Sequence, residues 1–300
     1  MIGRITLKRA VQGIASRTAI LTEPFVKPSL GLKACIFYYH RITNVGFVDP
    51  RIDDRNVPPN SFERQIAGLA KTAELIPLRD LPARLALPSR SAKPLVCLTF
   101  DDGFANFYTQ ALPILQRYQA PATAFVVTSL IGQREPPPFD RWARNNRSRL
   151  SPLAWRPMNW GELEACAASE LVTIGAHSHK HRRGRECTEE ELAEEAEQSR
   201  TILRKRLGEA HCFAYSFPYG SAKLGDVSPQ YVRTVQASGY KLAVTTDFGL
   251  ASPGSNPLLL PRIEALALDT PSTLRAKALG ALAPYYFVDR LRLFSEKHFA

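Results

Sequence analysis

Two adjacent carboxylates at the end of an apolar run are the most informative reactive side chains in the sequence. Residues 95–103 are Leu-Val-Cys-Leu-Thr-Phe-Asp-Asp-Gly, so Asp101 and Asp102 follow a predicted buried strand. Neighbouring side chains of a strand point to opposite faces, so both acids can serve one site only where the chain turns. Two carboxylates this close resist ionising together unless a proton or a cation intervenes. The pair indicates either a catalytic or metal site, or a turn in which Asp102 caps the next helix.

A histidine cluster follows a second strand-like run. Three of the six histidines lie in the segment Gly175-Ala-His-Ser-His-Lys-His181. His177 and His181 have the i,i+4 spacing that places two imidazoles on one side of a turn. Two histidines and one carboxylate leave a tetrahedral zinc with an open position for water. We therefore predict one divalent metal held by His177, His181 and one carboxylate of the Asp101–Asp102 pair, with zinc as the default and Co²⁺ or Ni²⁺ as alternatives, rather than a solvated basic loop.

These residues need a scaffold that brings strand ends together. From Ala34 onward, short β-like runs alternate with helical stretches, which is typical of βα units around a parallel sheet. Several runs are apolar at consecutive positions, as in strands covered on both faces. Enzymes with a barrel of this kind keep their catalytic groups where the strands end. The expected strands are 34–39, 74–78, 95–100, 122–127, 172–176, 212–217, 241–245 and 258–260.

The helices between the strands have recognisable ends. The clearest one starts after Thr188, where Glu191 completes a capping box, and it ends at Gly208. We interpret its many acids as a solvated face and not as a binding site. Asn60 or Ser61 is expected to cap an earlier helix.

One long segment, 132–160, interrupts the alternation and is rich in arginine, proline and tryptophan. A segment of this length without regular structure is usually functional or mobile. Aromatic faces suit sugars, and arginines suit phosphates or uronates. It is either a cover for a bound sugar chain, with Trp160 contacting the substrate, or a mobile solubilising loop.

Composition narrows the class of protein and of partner. The chain of 300 residues is 45% hydrophobic and 22% charged, which is globular composition. Its net charge of +11 favours acidic partners such as phosphates, anionic lipid headgroups or anionic glycans. No motif resembles one that reads a nucleic-acid groove, so we predict no nucleic-acid partner.

The cysteines and the first residues bear on the cellular compartment. Five cysteines without a C-x-x-C pair favour a reducing environment. The first 22 residues are basic, but Gln12, Ser16 and Arg17 interrupt the apolar region that a signal peptide needs. This extension is either an interfacial helix on an anionic membrane surface or, as we favour, a helix packed on the domain. We predict a cytoplasmic protein, with a peripheral position at the inner membrane face as the alternative.

The order of the motifs resembles that of the NodB-homology polysaccharide deacetylases, a carbohydrate esterase family. The motifs are Thr99-Phe-Asp-Asp-Gly103, His177-Ser-x-x-His181 and Phe217-Pro-Tyr-Gly220, with Tyr38-Tyr-His-Arg41 and Leu260-Pro-Arg-Ile263 around them. The similarity runs from about residue 34 to residue 265 and looks like the branch found in bacterial exopolysaccharide synthesis. It implies a single distorted (β/α) barrel with six to eight parallel strands over residues 34–285. A basic extension (1–33) precedes this barrel, and an amphipathic tail (286–300) follows it.

The resemblance also implies an activity and roles for single residues. The activity is removal of N-acetyl groups from N-acetylhexosamine units of a polysaccharide or of its lipid-linked intermediate. By motif, Asp101 is the general base, Asp102, His177 and His181 hold the metal, and the Tyr219 N–H helps to bind the oxyanion. Phe217, Pro218 and Trp160 are the predicted substrate contacts. The alternatives are a hydrolase of a small amide on the same scaffold and a catalytically silent glycan-binding protein.

The sequence departs from the familiar family pattern in two places. Ser216 stands where many members have an arginine that orients the base, and we hypothesise that Arg262 takes that role. The late Leu-x-x-His segment that donates an acid histidine is missing. His40, at the end of the first strand, is the best substitute for the general acid, and a purely structural role for it remains an equal alternative.

Overall fold

The computed structural model describes residues 33–45, 55–87 and 93–280. Residues 1–32 of the predicted extension and the predicted tail 286–300 lie outside the described residues. The strands are β1 (Ala34–Tyr39), β2 (Arg41–Ile42), β3 (Asn56–Val57), β4 (Glu74–Leu75), β5 (Leu95–Phe100), β6 (Ala122–Val126), β7 (Val172–Ala176), β8 (Ala214–Ser216), β9 (Leu242–Phe248) and β10 (Leu260–Glu264). The α-helices are α1 (Pro59–Thr72), α2 (Leu81–Ala86), α3 (Leu112–Arg117), α4 (Arg141–Asn146), α5 (Trp160–Ala167), α6 (Glu189–Leu207), α7 (Pro229–Ala237) and α8 (Pro271–Ala278).

Seven parallel strands close into a barrel. The order is β1-β10-β9-β8-β7-β6-β5, and β5 returns to pair with β1 from Ala34↔Leu95 to Tyr39↔Phe100. The short β4 pairs only with the first residues of β5 and so widens the sheet without entering the ring. Each of the eight expected strands contributes to this sheet, and the predicted barrel is confirmed.

The alternation of side chains along the strands separates the barrel interior from its outer layer. In β5, Leu95 and Cys97 belong to an inner apolar group, while Val96, Leu98 and Phe100 belong to the group that packs under the helices. Because every second side chain of a strand points to the same face, Thr99 and Asp101 point to the interior as Leu95 and Cys97 do. Leu81 and Leu85 of α2 join the inner group near the strand starts. The polar residues therefore occupy the end of the barrel where the strands finish.

The helix boundaries confirm one prediction and correct another. Helix α6 has the Thr188–Glu191 capping box, and Gly208 ends it with a φ of 85°. The prediction that Asn60 or Ser61 caps the earlier helix is wrong, because α1 already begins at Pro59. Proline suits the first position of a helix, where its missing N–H has no partner to lose.

Segment 132–160 contains more regular structure than expected. It includes α4 and two short 3-10 turns, Arg147–Arg149 and Pro152–Ala154. Trp142 and Trp155 are buried and form a small apolar cluster with Ala143 and Ala154. The prediction of an irregular loop is therefore wrong for this part, since two of its tryptophans form a core of their own.

The cysteines behave as small apolar residues. All five are free thiols, and Cys97 and Cys212 are buried. Within the described ranges, we find no helix that combines the length and the apolarity needed to cross a bilayer.

Candidate metal centre and active site

The residues predicted for catalysis and metal binding come together at one end of the barrel. They are His40 after β1, Asp101 and Asp102 after β5, His177 and His181 after β7, Tyr219 after β8 and Arg262 within β10. In the described chain, five non-glycine residues have a positive φ, and four of them lie here: Asp102, Ser178, His181 and Tyr219. Such conformations cost about 1–3 kcal/mol each and persist only where the surroundings enforce them. The backbone strain is thus concentrated at the candidate site.

Asp102, His177 and His181 form a compact set of metal-binding atoms. Asp102 Oδ1 lies 3.5 Å from the Nε2 atom of each histidine. All three residues are buried, and their ligand atoms lie within 4.8 Å of one another. The ligand atoms of a tetrahedral zinc site are about 3.3 Å apart, because each bond is about 2.0–2.1 Å long. The predicted ligand set is therefore assembled with the spacing that a small cation requires.

The surroundings of the histidines also fit a metal. His177 Nδ1 lies 2.8 Å from the backbone oxygen of Ser216 and donates to it, which leaves Nε2 free to act as a ligand. Phe139 stacks on the His181 ring with centroids 3.7 Å apart. Burial lowers the pKa of both histidines, so they are neutral at pH 7 and can coordinate.

The two carboxylates have opposite electrostatic environments. Burial and then the neighbouring Asp101 charge raise the pKa of Asp102 to about 7. Burial also disfavours ionisation of Asp101, but Arg262 outweighs it and holds the pKa of that carboxyl well below its usual range. Asp101 is thus ionised, whereas Asp102 is only partly ionised near neutral pH, and a bound cation would favour its carboxylate form.

Arg262 binds Asp101 through both oxygens, as hypothesised from the sequence. Its Nη1 and Nη2 donate to Oδ1 and Oδ2 at 2.8 and 2.7 Å, and the side chain is fully buried. Arg262 Nη2 also donates to Ser216 Oγ at 3.1 Å, and Ser216 Oγ lies 3.3 Å from Asp101. The contact is confirmed, and the catalytic role of Arg262 stays a prediction. Serine at position 216 leaves room for this guanidinium.

Tyr219 presents its backbone beside the histidines. Its φ is 58°, and its ring lies 5.1 Å from that of His181. Thr246 Oγ1 donates to the Tyr219 carbonyl at 2.6 Å and fixes this turn. The side chain is 39% exposed, with the Arg183 guanidinium 3.9 Å from the ring centre. The strained, anchored turn is compatible with the predicted oxyanion role of the Tyr219 N–H.

His40 lies at the edge of the site beside Glu264, with 3.8 Å between Nδ1 and Oε1. Burial and then the charge of Arg55 lower the pKa of His40 to about 4. The imidazole is therefore neutral at pH 7, which does not suit a proton donor. Its role as general acid stays a prediction.

The predicted substrate contacts are placed less favourably. The ring of Phe217 is fully buried between Tyr215 and Tyr231 and offers no surface to a sugar, so its substrate role stays a prediction. Pro218 is buried as well, so its ring cannot offer a surface to a sugar. Trp160 starts α5 and lies 5.4 Å from the Arg206 guanidinium of α6, in the outer helix layer. A substrate role for Trp160 stays a prediction.

Two residues that touch the site were missed by the sequence analysis. Phe139 covers His181, and Glu195 of α6 binds the backbone between the two histidine ligands. The residue after Phe139 anchors this segment, because Asp140 forms an ion pair with the buried Arg41, which directly follows His40. The sequence around each residue does not indicate these contacts. Phe139 is a single aromatic residue in a proline-rich segment, and Glu195 is one of many acids in α6.

A buried Asp-His-His set beside an ionised, arginine-bound aspartate at the end of a parallel barrel defines a metal-dependent hydrolase. Residues 89–243, just over half of the chain, match the family model for polysaccharide deacetylase. The chain therefore belongs to the polysaccharide deacetylase family, and the predicted enzyme class is confirmed. The family implies an N-acetylated polysaccharide as substrate.

Individual relatives agree with this assignment. The poly-β-1,6-N-acetyl-D-glucosamine N-deacetylase of Staphylococcus aureus is 22% identical over 246 residues, which are 75% of this chain and 76% of that protein. The structure of IcaB from Ammonifex degensii superimposes with a TM-score of 0.66 at 20% identity, covering 83% of this chain and 98% of that one. The Streptococcus pyogenes deacetylase PplD in complex with acetate gives 0.63 at 23% identity, covering 82% and 97%. These structures share the barrel fold.

Proposed function

We propose that this protein is a zinc-dependent N-deacetylase of N-acetylglucosamine polymers or of their lipid-linked intermediates. The observation that carries the proposal is that the Asp102-His177-His181 set lies beside Asp101, whose carboxylate Arg262 keeps ionised through two hydrogen bonds. When bound, the cation supplies a Lewis acid for the acetyl carbonyl and an activated water.

The chain's own residues supply the remaining functions. Asp101 accepts the proton of the attacking water, since Arg262 holds its carboxylate in one orientation. The Tyr219 N–H donates to the oxygen on which negative charge develops, which stabilises the transition state. An acid must then protonate the departing amine, and His40 is the residue to test.

Three choices in the proposal go further than the class of enzyme. N-acetylglucosamine is favoured by the name of the Staphylococcus aureus relative. Zinc is favoured because two imidazoles and one carboxylate are ligands typical of a catalytic zinc. A cytoplasmic location is favoured by five unpaired cysteines, and it stays a prediction.

The test is acetate release from N-acetylglucosamine oligomers, with and without a chelator. We expect wild type to release acetate, the chelator to abolish release, and added Zn²⁺ to restore it. Asp101→Asn should lower kcat by about 10²–10⁴-fold, the usual contribution of a general base, while it still binds metal. Asp102→Asn should lose metal binding and activity together.

The alternatives from the sequence predict different results. A wild type that binds metal but releases acetate from no oligomer would contradict the proposal and favour a small-amide hydrolase or a silent glycan-binding protein. The His40 assignment has its own test: if His40 is the acid, His40→Ala should lose the alkaline limb of the pH–rate profile. A retained limb would assign the acid elsewhere.

A further inference from the structure

The loop that carries both histidine ligands adopts a costly conformation. Between β7 and α6, Ser178 and His181 have φ values of 62° and 60°. Non-glycine residues adopt this left-handed region only in a few per cent of cases, so the free chain would rarely populate this loop shape. Because His177 and His181 stand at its two ends, the distance between the ligands depends on it.

A buried acid of α6 binds the middle of this loop. Glu195 Oε2 accepts the backbone N–H groups of His179 and Lys180 at 3.0 and 2.7 Å. Hydrogen bonds to an ionised acceptor are roughly twice as strong as neutral ones. One carboxylate oxygen thus satisfies two consecutive amides whose alignment requires this loop conformation.

The position of Glu195 is unusual for a charged residue. It is 1% exposed and lies on the same face of α6 as the buried Leu192, Ala196 and Ser199. The interpretation of the acids of this helix as a solvated face is therefore wrong for Glu195. Burying a carboxylate is costly unless charge-assisted bonds offset the lost hydration. A charge at an inward position of an amphipathic helix breaks the local pattern, as functional positions do.

The opposite side of the loop is held by the segment that follows β6. The backbone N–H groups of Thr128 and Ser129 donate to the carbonyls of Ser178 and His179 at 3.2 and 2.9 Å. Thr128 Oγ1 also lies 2.9 Å from His179 Nδ1. These bonds hold the carbonyl groups of the loop. Of its N–H groups, those of His179 and Lys180 donate to Glu195, and that of His181 donates to Ser178 Oγ at 2.9 Å.

We propose that Glu195 is a positioning residue that sets the spacing of the two histidine ligands through the loop backbone. The inference rests on the proposed function in that it takes residues 102, 177 and 181 as the metal ligands. Without the carboxylate, the loop relaxes from its strained conformation, and the imidazoles are no longer preset for the cation. Loss of an outer partner of a metal ligand typically weakens metal affinity by about 10–100-fold.

The chain offers a matched control in the adjacent residue. Glu194 is next to Glu195 in α6 and contacts the same loop, but through a partly exposed ion pair with Lys180 Nζ at 2.8 Å. Exposed pairs of this kind contribute little. Comparing Glu195→Ala with Glu194→Ala therefore separates backbone positioning from a general loss of negative charge near the loop.

The measurement is the Kd for Co²⁺, from its visible absorption and from competition with a chelator, on the full chain. We expect Glu195→Ala to raise Kd by about tenfold or more. Glu195→Gln keeps an oxygen acceptor without the charge, so its Kd should lie between those of Glu195→Ala and wild type. Glu194→Ala should stay within about twofold of wild type.

Several outcomes would overturn the proposal. A folded Glu195→Ala with wild-type Kd would do so, and so would an equal weakening in Glu194→Ala. If Glu195→Ala does not fold, Glu195→Gln decides: a Kd at least about threefold above wild type supports positioning, and a smaller change contradicts it. A wild type that binds Co²⁺ but releases no acetate would contradict the proposed function alone and leave this comparison intact.

Discussion

The ionised state of Asp101 depends chiefly on Arg262. The pair is buried, and its two parallel hydrogen bonds require a planar guanidinium. We expect Arg262→Lys to lower kcat by about 10–100-fold, since lysine loses the bidentate contact, and Arg262→Ala to lower it further. The acid limb of kcat/KM should move to higher pH, because the pKa of Asp101 rises without its partner. Acetate release as a function of pH tests this.

Controls separate this effect from a loss of stability. Removing one partner of a buried pair costs about 3–5 kcal/mol, so folding of each Arg262 variant is checked by circular dichroism. Ser216→Ala removes the 3.3 Å contact to Asp101 and the 3.1 Å bond from Arg262, but it keeps both Arg262–Asp101 bonds. Its acid limb should therefore stay near that of wild type. An Arg262→Lys enzyme with wild-type kcat and acid limb would refute the positioning role.

Asp102 makes metal binding dependent on pH. Its pKa of about 7 means that a proton competes with the cation near neutrality, whereas the two histidines are already neutral. We expect the metal Kd to rise by about tenfold per pH unit as the pH falls below 7, because one proton is displaced. Chelator competition between pH 6 and 8 measures it. In Asp101→Asn the neighbouring charge is gone, so the rise should begin at lower pH. A flat profile in wild type would contradict this account.

Segment 132–160 contributes a residue to the site as well as exposed residues to the surface. Phe139 stacks on His181, and the buried Arg41–Asp140 pair fixes the neighbouring residue. An aromatic pair contributes about 0.5–1.5 kcal/mol beyond burial, which corresponds to about 2–12-fold in affinity. We expect Phe139→Ala to raise the metal Kd within that range, and Phe139→Tyr to leave it within twofold. Titration with Co²⁺ checks both, and an unchanged Kd in Phe139→Ala would assign the stack no role in binding.

The parts of the fold and of the site that could be predicted are those whose sequence pattern is local. Strands β1 and β5 were predicted to the residue because their apolar runs are continuous and end at polar residues. The pairing of β2 with β3 involves two residues on each side, which is too short for any period to show. Phe139 and Glu195 were missed because their partners, His181 and the 177–181 loop, are set by tertiary packing.

The site exists only when the seven strands are closed into a ring. Its residues come from positions 40 to 262, and β1 must pair with both β5 and β10 before His40, Asp101 and Arg262 can meet. Arg262 bonds to Thr99 Oγ1 as well as to the Thr245 carbonyl, so it links three strands across the barrel interior. The order of the motifs could predict the metal ligands, but the contact of Arg262 with Asp101 forms only when the ring of strands is closed.

A polar clasp of Lys277, Asp269 and Gln65 joins α8 to α1. Lys277 of α8 donates to Asp269 at 2.6 Å, both side chains are buried, and Gln65 of α1 donates to the Asp269 carbonyl at 2.9 Å. Asp269→Ala leaves the Lys277 ammonium buried without its carboxylate, so the free energy of unfolding should fall by about 3–5 kcal/mol. Denaturant titration measures this loss. The metal Kd should stay within twofold, because the clasp touches no ligand. Adding Lys277→Met removes the unpaired charge and should restore part of the stability. An Asp269→Ala variant as stable as wild type would show that the clasp does not stabilise the fold.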